Sequence, residues 1–110
     1  MEETTRILKK MEDTTQLRMI AEKVAETLEV PVELIYTTLK LKKATQAREI
    51  TFYILRRLNI SNREIAREFG LNEPTVTTTY QRGEKKFLNA DRRLLTEIIL
   101  KKIESTDQGA

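Results

Sequence analysis

Apolar residues recur at intervals of three and four along most of the chain, the spacing of helices that bury one face. Ile7, Leu8 and Met11 mark a weak lead-in over residues 1–13. Leu17, Ile20, Ala21, Val24 and Leu28 predict a helix at about residues 15–29, with Glu22, Lys23, Glu26 and Glu29 opposite. Asp13, Thr14 and Thr15 are its candidate caps, and it should close near Val30, because Pro31 disfavours the α conformation in the residue before it. Leu34, Ile35 and Leu39 suggest a short helix within 31–39. Ile50, Tyr53, Ile54 and Leu58, with Phe52 and Leu55 on the flanks, predict a helix from about Gln46 to Asn59, capped by Thr45. It is the most hydrophobic stretch, so it should be the centre of the core. Leu94, Leu95, Ile98, Ile99 and Ile103 predict a closing helix from Asn89 or Ala90 to about Glu104, and residues 105–110 should form a loose tail. The expectation is one all-α domain over residues 14–104, of five to six helices.

The densest pattern lies between Ser61 and Phe87. Ser61 can cap a helix, and Glu64 can reach back to the cap's own amide. Ile65, Ala66 and Phe69 form one stripe, and Gly70 follows where a helix stop needs positive φ. After Leu71, Asn72 can cap a second helix, Glu73 suits its positive end, and Pro74 loses no hydrogen bond in its first turn. Val76, Tyr80, Gly83 and Phe87 then repeat on one face. Small Ala66, turning Gly70 and β-branched Val76 fall in the register of the helix-turn-helix motif, whose second helix enters the major groove of DNA. An ordinary helical hairpin is the alternative; the joint register of cap, small residue and glycine favours the motif.

Composition narrows the function. With no cysteine there is no thiol chemistry, and with no histidine the commonest general base and metal ligand are missing. The acidic residues form no paired constellation, so neither an enzyme nor a cofactor or small-molecule site is expected. No apolar run approaches the roughly 20 residues of a membrane span, and no secretory apolar core opens the chain, so a cytoplasmic protein with no membrane partner is expected. The net charge is +3, but unevenly placed. Residues 1–39 carry 5 basic and 8 acidic side chains, residues 40–70 carry 8 and 3, and residues 71–110 carry 7 and 6. The basic excess sits ahead of and inside the first helix of the motif, where phosphate contacts and counterion release reward it.

The order of parts resembles the C-terminal DNA-binding domain, domain IV, of the bacterial replication initiator DnaA, within the Trp-repressor-like helix-turn-helix superfamily. The likeness rests on VPVELIY, on KLKKATQAR before a hydrophobic helix, on SNREIAREFG, on PTV and on the closing helix, and spans about residues 14–104. It implies a loop lysine in the minor groove, for which Lys42 is the match with Lys40 beside it, and a phosphate-holding arginine, for which Arg48 is the match. The family reads bases through a Gly-Arg-Asp-His-Thr-Thr-Val signature. Here the chain runs from Gly70 through Leu71, Asn72, Glu73, Pro74 and Thr75 to Val76, without the arginine, aspartate and histidine. The family's usual origin boxes are therefore not the expected target. No G-x-x-x-x-G-K-[ST] phosphate loop is present.

The expected partner is double-stranded DNA. The candidate contacts are Lys40, Lys42, Lys43 and Arg48 before the motif, and Asn72, Pro74, Thr75, Thr77, Thr78, Gln81, Arg82 and Lys85 on the second helix. Threonine offers a hydroxyl and a methyl group, Gln81 can pair with adenine and Arg82 with guanine, and Lys85 and Lys86 suit the backbone. Four threonines within Thr75–Thr79, in a helix they do not favour, ask for a reason. Control of replication or transcription is the expected setting. The competing reading is a protein-interaction module on the same scaffold that has lost base-specific recognition, with Glu22, Glu26 and Glu29 as an acidic face. A homodimer or protein partner would use the last helix, with Ile99 and Ile103 as the first candidates.

Overall fold

The structure, a computed structural model, describes residues 16–109; the lead-in expected over 1–13 lies outside them. Helix α1 is seen over residues 16–28. A 3-10 turn at Val32–Tyr36 follows, then α2 (Lys42–Arg57), α3 (Asn62–Phe69), α4 (Glu73–Lys86) and α5 (Ala90–Gly109). The fold is all-α, as the periodicity predicts.

Helix α2 is the axis of the core. From Ala44 to Leu55 it is buried on every side, apart from half-buried Thr45 and Gln46. The 3-10 turn, α3, α4 and α5 all pack on it. Residues Leu17, Ile20, Ala21, Val24 and Ala25 of α1 join the same core. Phe69 of α3 fits between Tyr36 and Phe52, with ring centroids 4.6 and 5.2 Å away. At about 1.5–3 kcal/mol for each large apolar side chain withdrawn from water, this cluster outweighs any single surface contact.

Three helices end in the same way. Glu29, Asn59 and Gly70 have φ of 57°, 66° and 68°, and the next amide in each case bonds back five residues: Val30 to Ala25, Ile60 to Leu55 and Leu71 to Ala66. These bonds close the chain over the helix end and satisfy its last carbonyls. The left-handed residue turns the chain before Pro31 can act, so α1 stops at residue 28.

The boundaries depart from expectation where packing overrides local signals. Helix α2 starts at Lys42, with Leu41 as its cap residue and no side-chain cap, so Thr45 lies inside the helix. The earlier start buries Ala44 and Ala47 completely. The expected helix within 31–39 is a single 3-10 turn: Ile35 is buried, Leu34 is half-buried, and Leu39 is exposed. Leu58 also faces solvent, beyond the end of α2. Helix α5 runs to Gly109, so the loose tail expected over 105–110 is helical through residue 109. On α5 the buried face is Thr96, Ile99 and Ile103, while Leu94 and Ile98 are exposed. The two isoleucines expected as dimer contacts belong to the core.

Both helix caps of the motif form as its sequence predicts, although no bond from Glu64 back to the Ser61 amide is seen, and Tyr80 and Phe87 are half-buried rather than buried. Ser61 Oγ accepts from the Glu64 amide at 3.1 Å and Asn72 Oδ1 from the Thr75 amide at 2.9 Å. Ile65, Ala66, Phe69 and Val76 are buried where α3 and α4 meet the core. Gly83 of α4 lies directly on α2: a β-carbon there would come within 2.6 Å of the Glu49 carbonyl oxygen.

Gly83→Ala should therefore push α4 away from α2. Strain of about 1–3 kcal/mol exceeds the roughly 1 kcal/mol that alanine gains as a helix former, so a lower midpoint is expected in thermal and denaturant melts. A second expectation concerns Tyr36, whose hydroxyl donates to Glu68 at 2.8 Å. Burial first, and the Glu68 carboxylate second, push its pKa from 10 up to about 12. The phenol holds its proton more tightly folded than unfolded, so its stabilisation is complete below pH 10 and is lost as the pH climbs towards 12. Tyr36→Phe should flatten that part of the stability profile, as followed by denaturant melts across the alkaline range.

Candidate nucleic-acid interface

Helix α4 presents one edge to solvent. Pro74, Thr78, Gln81 and Lys85 are exposed along it, with Arg82 beside them. These positions lie opposite Val76 and Gly83, which bind the helix to the core. The hydroxyl of Tyr80, at the far flank, donates to Glu84 at 2.8 Å, and Arg56 stacks over the Tyr80 ring at 5.5 Å. Arg56 also donates to the Ile60 carbonyl at 3.2 Å, so its role is structural.

The four threonines divide their tasks. Thr75 and Thr79 are half-buried on the flank that faces the segment before α2. Thr77 turns to α3, where its Oγ1 accepts from Asn62 Nδ2 at 3.0 Å. This candidate contact on the flank of the helix is thus engaged within the protein, where it joins the two helices of the motif. Only Thr78 of the four is fully exposed. The side-chain oxygen of Asn72 is likewise engaged, by the Thr75 amide.

The lysines come next to this helix in two settings. Lys40 lies in the irregular segment 37–41, whereas Lys42 and Lys43 form the first turn of α2; all three are exposed. The sequence placed all three in one loop. Two cations and no acid at a helix start oppose the helix dipole, and no side chain satisfies the free amides.

Arg48 departs furthest from its expected role. It is 7% exposed. Its guanidinium donates to the Leu34 carbonyl at 3.0 Å and, by a short bond, to the Leu39 carbonyl, with Thr37 and Thr45 hydroxyls each 3.4 Å away. Burial pulls its pKa below the ordinary arginine value, and the neighbouring Glu49 charge opposes that. The side chain expected to hold phosphate is instead a staple: it fixes the backbone that carries Lys40.

Between the staple and α4 runs a cleft of about 450 Å³. Thr37, Thr38, Lys40 and Thr45 line one side, and Leu71, Thr75, Thr79 and Arg82 the other. Arg48 and Glu49 are its most buried lining residues. Five threonines, Lys40 and Arg82 are among its lining residues, groups that can receive a phosphodiester.

Sequence reasoning missed Glu49. Its carboxylate is 1% exposed and accepts from Lys86 at 3.0 and 3.1 Å and from Arg92 at 3.3 Å. It thus ties the end of α4 and the start of α5 to α2, and it takes Lys86 away from the backbone role expected for it. An acid within the apolar stretch of α2 was the one available signal. Among the described residues no helix is long and apolar enough to cross a membrane, and no group of acidic residues could hold a metal ion.

A helix-turn-helix set in an all-α bundle, with an exposed edge on its second helix and a cleft beside it, is the architecture of a DNA-binding domain. The chain belongs to the bacterial DnaA protein helix-turn-helix family, which matches residues 17–82. The match takes in α1 to most of α4 and is shorter than the likeness read over 14–104; α5 lies beyond it. No curated protein matches the chain.

Arg48→Ala should release segment 37–41. Faster amide exchange there is expected, with a stability loss of about 1.5–3 kcal/mol for the bonds from a charged donor. Arg48→Lys should recover only part of it, since one ammonium cannot span the same carbonyls. Unchanged exchange in Arg48→Ala would refute the staple.

Proposed function

We propose that the protein binds double-stranded DNA, with α4 in the major groove and the Lys40 segment at the neighbouring minor groove. The observation that carries this reading is the cleft between them. The strand that separates two adjacent grooves must pass between the elements that enter them, and the space between α4 and Lys40 is lined by threonine hydroxyls, Lys40 and Arg82. Lys42, Lys43 and the uncapped amides at the start of α2 supply further phosphate contacts, which would offset the unfavourable charge there. Arg48 supports them indirectly.

Base reading falls to the exposed edge of α4. The Pro74 ring and Thr78 methyl suit thymine methyl groups, Gln81 suits adenine, Arg82 suits guanine or phosphate, and Lys85 suits the backbone. The tip carries Leu71, Asn72, Glu73 and Pro74 in place of the family's basic signature, so the target differs from the usual origin boxes. The setting is control of replication or transcription in the cytoplasm. The same departure favours one rival, a protein-interaction module built on the scaffold, whose acidic face is Glu22, Glu26 and Glu29, all exposed or half-buried.

Selection of bound duplexes from a random pool, followed by salt titration, tests the proposal. A defined site should emerge. Gln81→Ala should cost about 1–3 kcal/mol on that site and little on unrelated duplexes. Lys42→Ala or Lys43→Ala should weaken binding to every duplex and lower the salt slope by about 0.9 for each phosphate no longer neutralised. Absence of binding at low salt would overturn the DNA reading in favour of the interaction module.

A further inference from the structure

Helix α5 carries a second apolar face. Its buried side is Thr96, Ile99 and Ile103, while Leu94 and Ile98 are 59% and 43% exposed on the far side. A helix that is apolar on two opposite faces is built to be covered twice. The fold covers one of them. The exposed face lies outside the residues matched by the family and on a different helix from the reading edge, so DNA binding does not account for it.

The charges beside the strip identify what covers it. Arg93, Glu97, Lys101 and Glu104 follow one another at spacings of four, four and three, and so share a flank of the helix. All four are exposed. Their order is plus, minus, plus, minus. Taken in reverse it is minus, plus, minus, plus, its own complement. An antiparallel pair brings this flank against its own copy, which sets Arg93 against Glu104 and Glu97 against Lys101, twice over; a parallel pair would set it against the opposite flank and leave the pattern unused. Arg93 also holds the Leu88 carbonyl at 3.1 Å through Nη2, which fixes its position at the start of the strip.

We propose that the exposed face of α5 is the contact between two copies of this chain, paired antiparallel with Ile98 near its own copy at the centre. Ile98 forms the apolar middle of the seam, Leu94 lies towards each end, and the Glu97–Lys101 pairs flank it and set the register. A contact confined to one helix from each copy sits at the small end of interface sizes, below about 1,200 Å², so the dimer forms reversibly with concentration. It leaves the outer edge of α4 free in both copies, and each dimer can engage two DNA half-sites.

Sedimentation equilibrium of the full chain, at concentrations up to the order of 1 mM, tests this. The wild type should move from 12.9 kDa to twice that mass as concentration rises. Glu97→Lys sets lysines against lysines, and Lys101→Glu sets glutamates against glutamates, so each alone should weaken the dimer about tenfold or more. Mixed in equal amounts the two variants should pair with each other, and the double swap in one chain should restore self-association. Both substitutions lie off the core, and circular dichroism will verify that helicity is kept. A wild type that stays monomeric throughout overturns the proposal and leaves the strip to another occupant, such as residues 1–15. Variants that dimerise as the wild type does, or that fail to pair when mixed, also overturn it.

Discussion

The contact of α4 on α2 at Gly83 governs the rest of the molecule. For the proposed DNA contact, α4 must stand at a fixed height above the scaffold that carries Lys40, Lys42 and Lys43. Here that height is set by the absence of a side chain, since even a methyl at Gly83 would meet the Glu49 carbonyl oxygen at 2.6 Å. The same residue of α2 then holds the helix end from its other side, its buried carboxylate paired with Lys86 and Arg92. Burying charged groups is costly, and such clusters are weak stabilisers overall. Breaking one is a different matter, because a buried charge left alone costs about 3–5 kcal/mol. The cluster thus allows few alternatives to the observed placement of α4, and placement is what recognition requires.

Glu49 and Arg48 are neighbours in sequence and serve the two walls of one cleft. Arg48 draws in the carbonyls of Leu34 and Leu39, and with them the segment that bears Lys40. Glu49 draws in the end of α4. Both side chains are buried, and each charge lies beside the other's, which opposes the loss of charge that burial would favour at Arg48. The spacing between the reading helix and the lysine segment is therefore fixed by two adjacent residues of one rigid helix. A duplex demands that spacing, because the distance between its grooves is not adjustable at low cost.

What the sequence disclosed follows from how local each signal is. The motif was legible because Ser61, Gly70, Asn72 and Pro74 act within a few residues of themselves, and the dihedral at Gly70 and the two caps are as those residues demand. The helix ends near Glu29 and Asn59 were placed to within two residues, but their mechanism was not legible, since the left-handed turn there goes with closing bonds to Ala25 and Leu55 rather than with a glycine. The start of α2 was misread for a similar reason: Thr45 is a good cap in isolation, but burial of Ala44 and Ala47 draws the helix one turn earlier. For the site, positions on the exposed edge of α4 followed from periodicity. The tasks of Arg48 and Thr77 did not, because each depends on a partner distant in sequence, Leu34 for one and Asn62 for the other. The last helix shows the limit of periodicity most plainly. A stripe of five apolar residues says that both faces are greasy, and only the fold decides that Ile99 and Ile103 are inside while Leu94 and Ile98 are out.

The departure at the tip of α4 has a physical logic of its own. In a signature that opens with arginine, the cation that reads bases also attracts every phosphate nearby. The edge found here begins with a proline ring and a threonine and reaches cations only at Arg82 and Lys85, two to three turns along the helix. If α4 reads the bases, as proposed, non-specific attraction is concentrated at α2 and the Lys40 segment and kept low at the tip of α4. Glu73 at the tip reinforces this, since its exposed carboxylate repels phosphate and repels the acceptor-rich edge of guanine. On the proposed reading, affinity falls to α2 and discrimination to α4, joined through the cleft that the Arg48 and Glu49 side chains border.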